Sequence, residues 1–358
     1  MTEYLGFWKL PPILRAKVMR RMDPDVIIDL STTHIAVKEF LTIYKLHATK
    51  LTWTFERKDV HFERKGSKPS YHNFQINLQF SKEKSVNFAI PCKDAEQDLR
   101  RSTERIVNGR SLLMMTDENN FWVTGLKGFN VKMQYLIDLT QHLLSIIDVD
   151  EFNLHFDLKD VKVMDNFVWE VTNKFDAVRI YNGLVTMSNL SQMLEDFEID
   201  DLFLNIPIIQ ENPLIPVPLK GLNKPDILRI TNYGRWLSVD EFFELNNSTI
   251  DVQFEELVDA SVVLRILESW LSGEKFQDVR SLTMGEYFIG HAQLMRKVDA
   301  IHGITGNWGG PEFWMSEYIR RAKRRTDGNL AWARINFARR SDLGHFVLQV
   351  GEKPDSFS

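Results

Sequence analysis

The second half of the chain repeats short segments in which two apolar residues are separated by one residue, or by two in the last segment. These segments begin 22–29 residues apart, at Phe152, Val178, Leu202, Leu228, Ile250 and Val279. The spacers between them carry helix-like patterns, at residues 190–197, 238–245 and 260–271. Because one strand and one short helix cannot enclose a core, such units are stable only when neighbours stack. The spacing therefore predicts a series of stacked α/β units.

The period is similar to that of leucine-rich repeats, which is about 20–29 residues. Asn182 and Asn232 each lie two positions past the second apolar residue of a unit. In such repeats an asparagine there hydrogen-bonds the backbone as the chain turns off the strand. Ser238 and Glu241 have the spacing of a capping box, a signal for the start of a helix. We interpret the region as an irregular leucine-rich-repeat-like array; ordinary strands of an α/β domain are the alternative.

Residues 49–130 show the two-residue period of half-buried strands. Apolar and polar residues alternate over 51–55, 74–80 and 86–90, and 60–62 is a further strand candidate. Residues 114–123 have the pattern of a hairpin with a polar turn. The pattern predicts an antiparallel β region. Residues 94–108 fit either a short helix or a loop, and 131–147 fit a buried helix.

Apolar residues near the amino terminus recur at three- and four-residue steps, the period of one helical face, at Leu10, Ile13, Leu14, Val18 and Met22. Two prolines fall where the first turn begins, a position that tolerates proline because its missing N–H has no partner there. Asp23-Pro24 is a helix stop, and a second apolar run follows over residues 26–41.

The pattern predicts two or three short helices in about forty residues, a size that rarely supplies an adequate core. Their apolar faces therefore need the rest of the chain or a partner. An amphipathic helical pair folded back on its own domain satisfies the first requirement, and a docking module satisfies the second.

Leu10-Pro11-Pro12, the helix after them, Met22-Asp23-Pro24 and Leu30-Ser31 resemble an F-box. More specifically, they are similar to the nematode-expanded group in which an F-box heads an F-box-associated domain. The chain departs from that group at residues 32–37, where its members usually carry a serine- and lysine-rich tract. The resemblance implies that the amino-terminal helices bind the Skp linker of a cullin–RING (SCF) ubiquitin ligase. The residues it assigns to the linker-facing surface are Leu10, Pro11, Ile13, Leu14, Val18, Met22, Pro24 and Leu30.

Two later segments add to the resemblance. Residues 264–274 are similar to the leucine-x-x-tryptophan helix of the F-box-associated domain, and residues 319–350 to its ending, a basic turn followed by two strands. The resemblance implies an F-box over residues 4–48, a β-rich segment over 49–130 and a leucine-rich-repeat-like substrate-binding region over 131–350. The expected fold class is α+β.

Charge and composition exclude several classes of protein. A net charge of −5 argues against a chain-wide nucleic-acid binder. The single cysteine, Cys92, excludes an internal disulfide and fits a reducing, intracellular location, cytoplasmic or nuclear. We find no signal peptide and no apolar run long enough to span a membrane.

The sequence indicates no catalytic, cofactor or metal site. Cys92 has no local histidine partner, and a lone cysteine of this kind is more often inert. The glycine-rich stretch at residues 303–310 has no adjacent Lys-Ser/Thr pair, so it does not match a phosphate loop. His291 and His302 lack a carboxylate or cysteine at ligand spacing. We therefore expect a protein that is not an enzyme.

One concentrated basic run occurs, at Arg320, Arg321, Lys323, Arg324 and Arg325. It fits a patch for an anionic partner or a nuclear-import tract. It equally fits a solvated helix end, where cations complement the helix dipole.

Together these features predict a non-catalytic adaptor that holds a target protein near the ubiquitin-charged enzyme and acts by positioning. The alternative is a ligase-independent scaffold of repeat type, whose amino-terminal helices cap the array. A nucleic-acid binder is a third class, which the acidic net charge disfavours. The sequence identifies neither the target protein nor the residues that contact it, and it leaves dimerisation open.

Overall fold

The computed structural model describes residues 7–59, 70–90, 102–117, 119–126, 128–231, 236–259, 261–288, 296–298, 300–301, 304–305, 318–326, 329–340 and 343–351. The chain forms two compact units, Met1–Lys159 and Asp160–Ser358. It contains helices near the amino terminus followed by a large set of parallel and antiparallel strands, so the α+β class is confirmed. The finer division into residues 4–48, 49–130 and 131–350 stays a prediction.

Among its described residues, the first unit has three short helices before its strands, α1 (Pro12–Met19), α2 (Pro24–Thr33) and α3 (Ile35–Ile43). Proline occupies the first helical position of both α1 and α2, where it costs no hydrogen bond. Pro24 thus starts α2, whereas α1 has already ended at Met19. A fourth helix, α4 (Phe129–Ile146), confirms the one predicted from residue 131. Gly128 precedes it with a φ of 87°, which disfavours any residue with a Cβ.

The part of this unit that the structure describes also contains seven strands, the last of which extends to Lys162. They are β1 (Leu46–Asp59), β2 (Ser70–Gln79), β3 (Ser85–Ile90), β4 (Thr103–Val107), β5 (Arg110–Asp117), β6 (Asn120–Thr124) and β7 (Ile147–Lys162). Hydrogen bonding places them in the order β7-β1-β2-β3-β6-β5-β4. Within the predicted antiparallel region the pair β3/β6 is parallel, so the expectation of a wholly antiparallel region is wrong. β1 also pairs in parallel with β7, which lies beyond residue 130. Of the predicted helix or loop at residues 94–108, residues 103–107 form a strand. Residues 94–101 lie outside the described residues, as do residues 60–62.

The core of the first unit lies where the alternating apolar residues meet α4. Trp53 and Phe55 on β1 are fully buried, and Phe55 contacts Phe74 of β2 at a ring-centroid distance of 5.7 Å. The indole Nε1–H of Trp53 donates to Thr140 Oγ1 of α4 over 3.2 Å. The buried indole therefore has a polar partner, as burial of its N–H requires.

The second unit contains a run of parallel strands. They are β8 (Lys174–Thr186), β9 (Glu198–Leu204), β11 (Ile227–Ile230), β12 (Thr249–Asp259) and β13 (Ser281–Phe288); β10 (Ile208–Ile209) pairs separately with β8. The register sets one buried residue of each strand opposite the next, in the row Val178, Leu202, Leu228, Ile250 and Leu282. The first four are the residues at which the sequence pattern begins its units. In the unit predicted to begin at Val279, the aligned residue is Leu282, three positions later.

Helical segments occupy the spacers and the entry to this unit. They are a 3₁₀ turn (Val163–Asp165), α5 (Val168–Val171), α6 (Met187–Asp196), α7 (Leu219–Leu222), α8 (Val239–Phe242) and α9 (Ser261–Ser272). The predicted capping box starts α8: Ser238 Oγ accepts from Glu241 N over 3.2 Å, and Ser238 N donates to Glu241 Oε2 over 2.7 Å. Asn182 lies inside β8, four residues before its end, so the chain does not turn off the strand there. Asn232 lies outside the described residues.

Beyond β13 the pairing becomes antiparallel. β14 (Ile304–Thr305), β15 (Tyr318–Thr326), β16 (Asn329–Arg340) and β17 (Leu343–Gly351) follow in the hydrogen-bonded order β13-β17-β16-β15-β14. The two predicted C-terminal strands are thus confirmed in β16 and β17. The basic run lies in β15, so its interpretation as a helix end or turn is wrong.

Candidate functional site

Helix α1 presents the most concentrated set of exposed aliphatic side chains in the assigned linker-facing surface. Its first turn is fixed by the Pro11 carbonyl, which accepts from Leu14 N at 2.9 Å and Arg15 N at 3.0 Å. Ile13 is 66% exposed, Leu14 44% and Val18 42%. In contrast, Ala16 and Met19 are buried against the rest of the unit. The helix therefore buries one face in its own molecule and leaves a second apolar face in solvent.

A groove of about 300 Å³ lies beside this exposed face. It is lined by Phe7, Trp8, Val18, Met19, Met22, Leu30, His34 and Val37. Three of these residues, Val18, Met22 and Leu30, belong to the surface that the F-box resemblance assigns to the linker. We call the groove together with Ile13 and Leu14 the amino-terminal apolar surface.

Arg15 holds the segment before α1 against the helices. Its guanidinium lies 5.3 Å from the ring centroid of Trp8 and 5.4 Å from that of Phe40, distances at which a cation is attracted to an aromatic face. Its Nε–H donates to the Leu10 carbonyl oxygen over 2.9 Å. Arg15 thus fixes the wall of the groove that Trp8 provides.

The remaining residues of the assigned surface lie around this centre. Leu10 and Pro24 are half-buried, and Pro11 is exposed. Pro11 contributes its carbonyl to the start of α1, and Pro24 begins α2. These three residues therefore shape the helices, and the exposed aliphatic area belongs to Ile13, Leu14 and Val18.

Hydrogen bonds and ion pairs fasten α2 to the rest of the first unit. Arg105 Nε donates to Asp29 Oδ1 over 2.9 Å, and His142 Nε2 lies 3.0 Å from Ser31 Oγ. Burial, with a smaller contribution from the charge of Lys38, lowers the pKa of His142 from 6.5 to about 4. A neutral, buried imidazole therefore connects α2, which carries part of the site, to α4.

The loop between α1 and α2 is fastened at the surface. Lys84 Nζ lies 2.6 Å from Asp23 Oδ1, and this hydrogen bond and the Asp23 charge raise the pKa of Lys84. Both side chains are exposed, so the pair orders the loop more than it stabilises the fold.

Some sequence-level candidates are not part of the described structure. Cys92, His291, His302 and residues 306–310 lie outside the described residues, as do the side chains of the basic run. Within the described residues, we find no group of three or more histidine, cysteine, aspartate or glutamate side chains able to hold a metal ion. Among the helices that the structure describes, none has the length and apolar content needed to cross a bilayer.

Sequence reasoning identified the exposed face of α1 but missed half of the groove. Phe7, Trp8, His34 and Val37 lie outside the periodic pattern of α1 and reach the groove only through folding. The adjacent aromatic pair Phe7-Trp8 was the signal available, because large aromatics near an exposed helix are typical of binding surfaces.

Comparison with known proteins gives no relative to set beside this geometry. No protein-family model, no curated protein and no solved structure matches the chain.

Proposed function

We propose that this protein is a non-catalytic substrate-recognition adaptor of a cullin–RING (SCF) ubiquitin ligase. Its amino-terminal helices bind the Skp-type linker, and its second unit binds the target protein. The observation that carries the proposal is the exposed second face of α1, with Ile13, Leu14 and Val18 beside an apolar groove. It accompanies the Leu-Pro-Pro and Met-Asp-Pro signals that resemble an F-box.

The energetics of the surface are consistent with a stable complex. Burying a large aliphatic side chain contributes about 1.5–3 kcal/mol. Ile13, Leu14 and Val18 together offset part of the roughly 4–15 kcal/mol that association costs in lost freedom. The groove supplies further apolar contact for a side chain of the linker. A docking helix needs one buried face and one exposed apolar face, whereas a helix that only caps an array presents a polar outer face to solvent.

The second unit is proposed to be an irregular leucine-rich-repeat-like array. The aligned row Val178, Leu202, Leu228 and Ile250 supports this interpretation, because it repeats the sequence period in the strand register. Side chains alternate along a strand, so the residues between these core positions lie on the other face of the sheet.

That other face is the proposed surface for the target protein. Tyr181 and Phe203 are half-buried there, with ring centroids 5.1 Å apart. Arg179 and Arg229 flank Asp201, at 3.7 and 3.5 Å from its Oδ2. Tyrosine and arginine are enriched among the residues that contribute most to protein–protein binding. The basic run in β15 remains a second candidate, for an anionic partner.

The experiment is co-purification of the full chain with the Skp-type linker. Leu14→Asp combined with Val18→Asp places two charges in the apolar surface, and we expect it to abolish recovery of the linker. Ile209→Asp combined with Leu214→Asp alters two exposed aliphatics in the second unit and is the matched control. Circular dichroism and urea unfolding should show both variants folded. Undiminished recovery of the linker with the first variant contradicts the proposal.

The same experiment separates the adaptor from the ligase-independent scaffold. A wild-type chain that folds but binds no linker at micromolar concentration favours the scaffold. In that case the apolar face of α1 requires another partner.

A further inference from the structure

Four exposed cations flank the amino-terminal apolar surface. Lys9, Lys17, Arg20 and Arg21 are all exposed, and none of the four forms an ion pair or a side-chain hydrogen bond in the described structure. We call this set the basic rim. Its charge is local, since the whole chain carries a net charge of −5.

The basic rim lies next to the exposed aliphatic side chains of α1. Lys17 follows Ile13 by four residues and Leu14 by three, and Arg21 follows Val18 by three, spacings at which helical side chains are neighbours. The helical path continues past α1, because Arg20 N donates to Ala16 O and Arg21 N to Val18 O, each over 3.0 Å. Apolar and cationic side chains therefore form one continuous surface.

Several other charges nearby are matched within the molecule, whereas the carboxylates of Asp25 in α2 and Glu39 in α3 form no ion pair or side-chain hydrogen bond in the described structure. Asp23 pairs with Lys84, and Asp29 pairs with Arg105. Arg15 lies over the rings of Trp8 and Phe40. Four rim cations stand against these two carboxylates, so the unmatched charge around the groove is mainly positive.

We propose that the amino-terminal apolar surface binds a protein surface whose apolar contacts are bordered by carboxylates, which face Lys17, Arg20 and Arg21. The inference rests on the proposed function, in which this partner is the Skp-type linker. Charges at the rim of an interface act on the rate of encounter more than on the final affinity. The basic rim therefore attracts the acidic partner from a distance, and the apolar surface holds it after contact.

Helix α1 gives the rim a second potential role. Cations near the carboxyl end of a helix are stabilised by its dipole, and Lys17, Arg20 and Arg21 lie at or beyond that end. A purely structural role changes stability and leaves the association rate unaltered, so a kinetic experiment distinguishes the two.

The test measures association of the full chain with the linker by stopped-flow fluorescence, from about 0.05 to about 0.5 M salt, a range over which screening changes strongly. Lys17→Glu/Arg20→Glu/Arg21→Glu, the rim reversal, reverses three of the four rim charges. Lys159→Glu/Lys174→Glu/Lys220→Glu reverses three exposed lysines elsewhere and gives the same change in net charge. Lys17→Gln/Arg20→Gln/Arg21→Gln removes the same three rim charges without reversing them.

We expect the wild type and the lysine control to associate at least about tenfold faster at the low salt concentration than at the high one. The rim reversal should associate at least about tenfold more slowly at low salt, with little dependence on salt and little change in dissociation. The Gln variant should lie between them.

The outcomes separate the two proposals. The inference is contradicted if the rim reversal associates as fast as the lysine control. It is also contradicted if the association rate of the wild type does not depend on salt concentration. Neither result contradicts the proposed adaptor function. If the rim reversal lowers the unfolding free energy but leaves the association rate unchanged, the rim stabilises α1, and the inference is likewise contradicted. A wild type that never binds the linker removes both proposals.

Discussion

His142 of α4 donates its Nε2–H to the hydroxyl oxygen of Ser31 in α2. The distance is 3.0 Å, and both residues are buried. The direction follows from Ser31, whose own proton is donated to the Ile28 carbonyl oxygen over 2.6 Å. The imidazole is therefore the Nε2–H tautomer, and its Nδ1 is buried without a hydrogen-bond partner among the described residues. This bond attaches the helices that carry the apolar surface to the core of the first unit.

Ser31→Ala should destabilise the protein by about 1–3 kcal/mol, because it leaves the buried Nε2–H without an acceptor. Urea unfolding of the full chain measures this change. Thr33→Ala is the control: its hydroxyl is exposed on the same helix and bonds to the Asp29 and Leu30 carbonyls. We expect the control to change stability by less than about 0.5 kcal/mol. Equal effects of the two substitutions would contradict the role given to the Ser31–His142 bond.

Stability should fall as the pH is lowered from 6.5 to about 4. Burial lowers the pKa of His142 from 6.5 to about 4, so in this window the unfolded chain binds a proton that the folded chain does not. The contribution is complete above pH 6.5 and is lost towards pH 4. It amounts to about 3 kcal/mol at most, since one pKa unit corresponds to about 1.36 kcal/mol.

The variant His142→Gln isolates this contribution. Glutamine can donate to Ser31 but does not titrate, so its unfolding free energy should depend less on pH between 6.5 and 4 than that of the wild type. Chemical unfolding at several pH values measures both. Parallel pH profiles for the two proteins would show that His142 does not cause the loss.

Much of the fold was predictable because alternation and helical period report directly on burial. Phe74, Ile76 and Leu78 alternate with polar residues and form a strand whose apolar side is buried. β4 was missed because four of its five residues, Thr103 to Ile106, are not buried, and such a strand has no apolar period to detect. The parallel pairs β1/β7 and β3/β6 were not predicted. The hydrophobic period of a strand shows which of its faces is buried, but it does not show which other strand pairs with it.

The candidate site was predictable in part for the same reason. The sequence placed Leu14 and Val18 on one helical face but did not show that Ala16 and Met19 supply the buried one. The basic run was misread because its cations suit a helix end, whereas its backbone conformation follows from pairing with β16. The bond between Ser31 and His142 joins residues 111 positions apart, and no local pattern indicates such a partner.

Asn247→Ala should destabilise the second unit by about 1–3 kcal/mol. The buried Nδ2 of Asn247 donates to the carbonyl oxygens of Leu222 and Pro225, each over 2.7 Å. Alanine leaves both carbonyls without this donor. Asn246→Ala, at the exposed neighbouring position, is the matched control and should be close to neutral. Thermal and urea unfolding measure the difference; if the two variants are equally stable, the side chain of Asn247 does not link these segments.

Gly221→Ala should also destabilise the second unit, through packing. A Cβ built at Gly221 would lie 2.6 Å from the Cβ of Leu194, so α7 approaches α6 more closely than any side chain at this position permits. Leu194 is buried, and its Cβ cannot move without its backbone, so we expect a cost of about 1–3 kcal/mol, as for overpacked cores. Lys220→Ala changes the exposed preceding residue of the same helix and serves as the control.

Linker binding should survive Gly221→Ala at temperatures where the variant is folded, because the amino-terminal apolar surface lies in the first unit. An unfolding free energy equal to that of the control would mean that α6 and α7 are farther apart in solution than the structure indicates.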